Sequence, residues 1–329
     1  MSHRIVPEAA FFDRRRFLET LGAGIAAAAA SSCSREARSS EGMLSPPIDR
    51  SDVFPAARNL AHDLPSALSR RGLTPREKAA SHGMFSEFLP GRGGEVWRYT
   101  EAFEAAPWKL QVAGACERPR VLDLDDLFAI AHEERVYHFR CVEGWAMNVP
   151  WTGFPLRKLL DTVRPLPSAR FVVFTSAARP EEMPGVRESR YLRWPYVEGL
   201  RMDEAMSELT LVATGVYGRP LLKQHGAPVR IVVPWKYGYK SPKSIVRIEL
   251  TSGAPRTFWQ IRPHEYGFLA NVNPNVPHPR WRQESSYWLD TGETFPTPIF
   301  NGYADEVGAL YPDEPRTPRP PLRPGETAR

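Results

Sequence analysis

The chain has 329 residues, 42% of them hydrophobic and 11% aromatic, which is enough for a sizeable core and too apolar for a disordered protein. Its 43 basic and 38 acidic residues leave a net charge of +5, too evenly balanced for the concentrated basic face of a nucleic-acid binder. The 33 prolines, about twice average usage, argue against a helical bundle and for a mixed fold with many turns.

In chain order, the first signal is an address. Asp13-Arg14-Arg15-Arg16-Phe17-Leu18 precedes ten residues, 21–30, that are almost all Ala and Gly. A basic region, a short apolar region and small residues make an export signal, too short to span a bilayer. Paired arginines followed by x-Phe-Leu are its twin-arginine (Tat) form, read by the Tat translocase. Residues 1–30 are therefore expected to be a Tat signal peptide, and the mature protein periplasmic. That route carries folded proteins, which raises the expectation of a redox cofactor inserted before export. Two readings of the processing site stay open. Ala28-Ala29-Ala30 suits cleavage before Ser31, while Ser31-Ser32-Cys33 is a degenerate lipobox whose lipidation would tether the protein to a membrane. Residues 31–51 read as a linker, 52–311 as the catalytic domain, and 312–329 as a Pro-rich surface tail.

Within 52–311, short apolar runs bounded by turn residues predict strands at 108–112, 135–140, 170–175, 210–214, 229–233 and 244–251. Helical patterns are fewer, at 123–131, 154–163 and 203–206. Strands outnumber helices and do not alternate strictly with them, so the expected class is α+β with mixed sheets. Three cysteines, none in a CxxC pair, support neither a disulfide framework nor a zinc site of the usual kind. His264-Glu265-Tyr266-Gly267-Phe268 begins like HExxH and lacks the second His. No P-loop, GxSxG or CxxCH motif occurs.

Two stretches carry chemistry. Cys141 follows the strand 135–140 directly and precedes the turn-like Val142-Glu143-Gly144-Trp145. A thiol held at a strand end can be a ligand or a nucleophile; it can equally be a small buried hydrophobe. Farther on, residues 225–244 place four basic side chains and three aromatics around a strand. There Gly226 and Gly238 permit close backbone approach, and Arg230, Lys240 and Lys243 could hold a phosphate. A solvated basic face is the alternative.

Together these stretches resemble the sulfite oxidase superfamily of molybdenum enzymes. The blocks are Arg140-Cys141-Val142-Glu143, Val149-Pro150-Trp151-Thr152-Gly153-Phe154-Pro155-Leu156, Tyr196-Val197-Glu198-Gly199-Leu200-Arg201, Gly226-Ala227-Pro228-Val229-Arg230 and Val233-Pro234-Trp235-Lys236-Tyr237-Gly238. Glu265-Tyr266-Gly267-Phe268, Asn271-Val272-Asn273-Pro274 and Phe300-Asn301-Gly302-Tyr303 extend them, in order, over roughly 74–311. The likeness is greatest to the MsrP family of periplasmic methionine sulfoxide reductase catalytic subunits.

The resemblance implies a sulfite-oxidase-type fold and a molybdenum-molybdopterin cofactor with Cys141 as thiolate ligand, a soft donor suited to that metal. It further implies that Arg230 and Lys243, with the backbone of Ser241 and Pro242, hold the pterin and its phosphate. His225 and Ser176 would add hydrogen bonds, and Gly83, Ser86 and Glu87, with Phe85 and Phe88, would lie on the N-terminal side. Gly83 and Ser86 stand where the family carries Asn and Tyr, Ser176 where it carries Thr, and His225 where it carries Asn. The reaction implied is oxygen-atom transfer from methionine sulfoxide residues of oxidised periplasmic proteins, which restores the thioether. A haem-containing membrane subunit resembling MsrQ would supply the electrons.

After Cys141, sulfite oxidases carry an Arg that helps bind their anion. Here Glu143 and Trp145 follow, which favours a neutral sulfoxide, with Trp145 or Tyr237 packing its methyl group. A salt bridge from Glu143 to Arg140 is the bland alternative. Two other functions remain open: an enzyme of this fold acting on another S-oxide, an N-oxide or sulfite, and a metal-free periplasmic binding protein.

Overall fold

The computed structural model describes residues 48–65, 68–90 and 93–320. The expected signal peptide, Cys33, most of the linker and the last nine residues lie outside them. Two sheets organise the described residues. The first joins β1 (Leu110–Gly114), β2 (Arg120–Leu122), β5 (Phe171–Ser176), β6 (Val197–Arg201) and β10 (Ile245–Thr251) in the order β2-β1-β10-β5-β6. Its pairs are antiparallel except β1 with β10. The second holds β3 (Glu133–Arg140), β4 (Trp145–Pro155), β7 (Leu211–Val216), β8 (Arg219–Pro220), β9 (Arg230–Val232), β11 (Ser285–Trp288) and β12 (Thr294–Pro296). Its path is β12-β11-β4-β7-β8, with β3 on β4 and β9 on β7.

The helices are short: α1 (Arg76–Ser81), α2 (Leu124–Phe128), α3 (Leu156–Val163), α4 (Pro184–Glu188), α5 (Met202–Ala205) and α6 (Ala304–Val307). Mixed sheets with few helices are the expected α+β class. Asp123 caps α2, accepting from the Asp126 amide while the Asp126 carboxylate accepts from its own; the helix ends three residues sooner than its pattern predicts. On α3, Leu156, Leu159, Leu160 and Val163 are buried, the spacing of one helical face. This helix begins two residues later than predicted, because Phe154 and Pro155 complete β4.

β4 is the spine of the second sheet and the sequence pattern missed it. All eleven of its residues are buried, so no polar–apolar alternation marks it. It also carries Pro150, Gly153 and Pro155, residues that ordinarily argue against a strand. Gly153 sits at a register shift against β7, where a Cβ would lie 2.0 Å from the Val212 carbonyl oxygen. Only glycine allows that approach.

One apolar core runs through both sheets and includes Leu110, Val172, Phe174 and Ile248 from the first and Trp151, Phe154, Val212 and Ile231 from the second. Buried ion pairs cross it. The Lys236 ammonium donates to the Glu204 carboxylate at 2.7 Å, and Lys240 to Glu198 at 2.6 Å. The segment after Tyr311 stays at the surface but is fastened: the Asn271 and Asn273 amides donate to Glu314 at 2.9 and 2.8 Å.

Candidate molybdopterin site

Cys141 lies in the hairpin between β3 and β4. The Cys141 amide donates to the Trp145 carbonyl at 2.9 Å, and the Gly144 amide to the Cys141 carbonyl at 3.0 Å. That closes a three-residue loop, Val142-Glu143-Gly144, in which Gly144 takes a φ of 103°. Glycine at the left-handed position is what such a loop requires. The turn expected at 142–145 is therefore one residue shorter, and Trp145 opens β4.

Arg140, fully buried, braces this loop. Its guanidinium donates to the Ser286 hydroxyl at 2.7 Å, the Gln283 side-chain oxygen at 2.8 Å and the Cys141 carbonyl at 3.1 Å, and lies 5.3 Å from the Tyr237 ring centroid. Gln283 in turn donates to the Val142 carbonyl at 3.0 Å. No Arg140–Glu143 ion pair forms. Glu143 instead accepts from the Trp145 indole N–H at 3.3 Å, and burial raises its carboxyl above the usual range. Burial also pushes the Cys141 thiol up, with Glu143 adding to the effect, while Arg140 and Lys243 act in the opposite sense. A thiolate here needs a cation bound to the sulfur itself.

Beside the loop lies a cationic cradle. Arg230, 2% exposed, donates only to neutral acceptors: the His225 carbonyl at 2.8 Å, the Ser241 carbonyl at 3.2 Å and the Ile231 carbonyl at 3.3 Å. Its guanidinium stands over Trp151 at 4.9 Å and Phe139 at 5.6 Å. Burial pushes it down to about 9. Lys243 lies 5.3 Å from the Phe85 ring; burial and then Arg230 push its ammonium down, and Glu87 counters them. Gly226, with φ of 99°, lets the Lys243 backbone close in: a Cβ would sit 2.6 Å from that of Lys243.

Four polar atoms of this region are buried without a partner: Ser176 Oγ, His225 Nδ1, Gln224 Oε1 and Trp151 Nε1. A buried donor or acceptor left unsatisfied costs about 1–3 kcal/mol, so the two cations with the Ser176 and Trp151 donors suit an anion, and the His225 Nδ1 and Gln224 Oε1 acceptors suit N–H groups on the same ligand. The cradle therefore fits a phosphorylated pterin, and the buried sulfur fits its metal.

The other expected residues fall around the same space. His225 donates from Nε2 to the Ala79 carbonyl, 3.0 Å away, and burial pushes it down to about 4, so its ring is neutral and Nδ1 is an acceptor. Glu87 is buried, which raises its carboxyl, while Lys243 lowers it. The Ser86 and Glu87 carbonyls pack against Gly185, where a Cβ would come within 2.3 and 2.7 Å. Gly83 bridges Gly94 through both backbone groups at 3.0 Å. Ser241 and Pro242 wall the cradle, but their carbonyls are engaged by Arg230 and by the Ile231 amide, and the Ser241 amide donates to Gly238. Tyr237, 8% exposed, accepts from the Asn273 amide at 3.4 Å and stacks on Tyr239. Lys240, a candidate phosphate holder by sequence, is spent on Glu198 and the Gly199 carbonyl.

Sequence reasoning missed several neighbours. His82 packs edge-on against Trp145 with centroids 5.2 Å apart, and Gly93 touches both His82 and Glu143. Tyr287, 38% exposed, covers Gly144. Trp151 and Gln283 complete the set. Trp151 lay within a motif already quoted; the others carry no sequence signal, since distant segments deliver them.

Comparison with known proteins agrees with this geometry. Residues 98–259 match the family described as "Oxidoreductase molybdopterin binding domain". The chain is 43% identical over 318 residues, 94% of each chain, to the "Protein-methionine-sulfoxide reductase catalytic subunit MsrP" of Xanthomonas axonopodis pv. citri. It is 42% identical, with the same coverage, to the protein of that name from Xanthomonas campestris pv. campestris. Among solved structures it is similar to the sulfane dehydrogenase SoxCD of Paracoccus pantotrophus, at 20% identity and a TM-score of 0.38 over 45% of this chain and 39% of that one. With a hairpin thiol, a cationic cradle and full-length relatives of one name, this chain belongs to the MsrP family of molybdopterin-binding protein-methionine-sulfoxide reductase catalytic subunits.

Proposed function

We propose that the protein is an exported reductase that converts methionine sulfoxide residues of periplasmic proteins to methionine. Molybdenum-molybdopterin, when bound, supplies the two-electron oxygen-atom acceptor. Cys141 would hold the metal, and Arg230 and Lys243 the phosphate, with Ser176, His225 and Trp151 offering the unpaired groups to the pterin. Arg140 keeps the loop rigid by pinning the Cys141 carbonyl, which fixes the direction of the sulfur.

The observation that carries the substrate class is how the nearest guanidinium is used. Every Arg140 donor group goes to Ser286, Gln283 or a backbone carbonyl, so none faces an incoming anion. Glu143 stands on the same loop as Cys141. An anion such as sulfite meets the Glu143 carboxyl there, on which Arg280 acts less than burial does, whereas a neutral sulfoxide meets no such repulsion. Trp145 and Tyr237 are both under 10% exposed, so each offers the thioether methyl little surface.

The two electrons come from a partner subunit, as the family's designation as a catalytic subunit suggests. We assign that role to an MsrQ-like haem-containing membrane protein, and export to the Tat translocase on the strength of Arg14-Arg15-Arg16-Phe17-Leu18. The test is molybdenum per chain, followed by reduction of methionine sulfoxide and oxidation of sulfite, in wild type and Cys141→Ser. About one metal per chain, sulfoxide reduction and no sulfite oxidation are expected, with metal lost in the variant. Sulfite oxidation exceeding sulfoxide reduction overturns the substrate assignment.

A further inference from the structure

A cleft of about 270 Å³ opens on the far side of the cysteine loop. Val142 lines it, one residue from Cys141, together with Tyr237, Tyr239 and Gln283. Its opposite wall is the C-terminal segment, with Pro312, Glu314 and Pro315 among the lining residues. That segment is held at several points. Glu314 receives the Asn271 and Asn273 side-chain amides, the Pro315 carbonyl receives those of Asn273 at 2.9 Å and Asn275 at 3.2 Å, and the Arg319 amide donates to the Asn275 carbonyl at 2.8 Å. Asn271 also accepts from Lys236, so the strap is tied into the buried Lys236–Glu204 pair.

We infer that residues 312–320 form a fixed wall of the substrate cleft, and that the polypeptide flanking an oxidised methionine lies between this strap and the Tyr237–Tyr239 face. The inference rests on the sulfoxide-reductase reading. Val142 belongs both to the cysteine loop and to the cleft lining, so the cleft adjoins the place where a sulfoxide would meet the metal held by Cys141. Its walls suit the apolar side chains of an extended peptide, with tyrosine rings and prolines on them, while the Gln283 and Asn271 amides are spent within the protein. A free methionine sulfoxide carries no flanking residues to lie along the strap. Glu314 is accordingly a positioning residue, acting through the strap it latches.

The experiment uses the metal-loaded full chain with two substrates: free methionine sulfoxide, and an oxidised fifteen-residue peptide of Gly, Ser and Ala around one methionine (a length of roughly 50 Å when extended). Glu314→Ala is expected to raise KM for the peptide about fivefold, with kcat and the kinetics on free methionine sulfoxide unchanged, the pattern of lost uniform binding. Glu314→Asp, which keeps the carboxylate, restores most of the difference. Independently of activity, hydrogen exchange of residues 312–320 slows in wild type when saturating peptide is added. If Glu314→Ala accelerates exchange in the strap yet leaves the peptide KM unchanged, or if the peptide gives no protection, the inference fails. If the metal-loaded wild type reduces neither substrate, it is the functional reading that fails instead.

Discussion

Gly226 offers a direct measure of how tightly the cradle is built. Its φ of 99° is a left-handed conformation, and a Cβ there would lie 2.6 Å from Lys243 Cβ, 2.9 Å from its Cγ and 3.1 Å from its Cα. Those atoms belong to the base of the side chain and the backbone, so they cannot swing aside. Gly292 is the control, with φ of 74° and nothing within 4 Å of its would-be Cβ. Alanine at either site incurs about 1–2 kcal/mol of left-handed strain. Restriction of the unfolded chain offsets about 0.4–1 kcal/mol of that. Gly292→Ala should therefore cost between about 0 and 1.6 kcal/mol. Gly226→Ala adds the overlap, about 1–3 kcal/mol for extra volume in a packed site. Urea unfolding followed by tryptophan fluorescence should place Gly226→Ala below Gly292→Ala by that amount. Because the overlap displaces Lys243, molybdenum per chain should fall in Gly226→Ala and hold in Gly292→Ala. Equal losses in the two variants would show that the cradle yields freely, and would refute the argument from close approach.

Two further perturbations test the interior. Lys236→Met leaves the buried Glu204 carboxylate with the Tyr311 hydroxyl and the Arg201 amide as donors and only the part-exposed Arg201 guanidinium, 4.0 Å away, as a cation, and should cost about 3 kcal/mol in urea unfolding; adding Glu204→Gln should recover much of it, because the burial penalty then vanishes from both partners. His138 is buried with Nδ1 2.8 Å from the Asn148 side-chain oxygen, and burial pushes it from 6.5 down to about 4. The unfolded chain therefore binds a proton that the folded chain refuses between those values. Stability is present in full above about pH 6.5 and is lost as pH falls toward 4, by about 3 kcal/mol in total. Melting temperature recorded from pH 7 to pH 4 should fall less steeply in His138→Gln than in wild type.

What the sequence disclosed and what it hid follow from the range of the interactions. Strands such as β3, β5 and β10 were legible because turn residues bound their apolar runs. The end of β3 placed Cys141 correctly at the start of a turn. β4 was hidden because burial on both faces removes the period-two pattern. Lys240 looked like a phosphate ligand because its partner, Glu198 on β6, lies 42 positions earlier and no local pattern announces the pairing. The Glu143–Arg140 pairing was a reasonable local expectation. It fails because Ser286 and Gln283, more than 140 positions away, take the guanidinium first. His82 reaches Trp145 and Gly93 reaches Glu143 from a separate segment, and only the folded chain brings them there.

The buried cations fall into two kinds, and the difference identifies the site. Lys236 and Lys240 each face a buried carboxylate within 2.7 Å, so their charges are neutralised inside the protein. Arg230 has no carboxylate within ion-pair distance among the described residues and rests on three carbonyls. Carbonyl dipoles recover only part of what is lost when a guanidinium leaves water, and the depressed affinity of Arg230 for its proton is the direct expression of that deficit. A fold selected for stability alone would place an apolar side chain or a partnered pair at such a position. The deficit is removed when an anion docks, so the same charge that weakens the empty cradle strengthens it around a phosphate. Ser176 Oγ, His225 Nδ1 and Trp151 Nε1 behave alike, each unsatisfied until a polar group arrives. The folded chain therefore holds binding energy in reserve beside the thiol that would hold the metal. A site built on such groups holds its cofactor tightly, because each of them gains a partner in the same binding event.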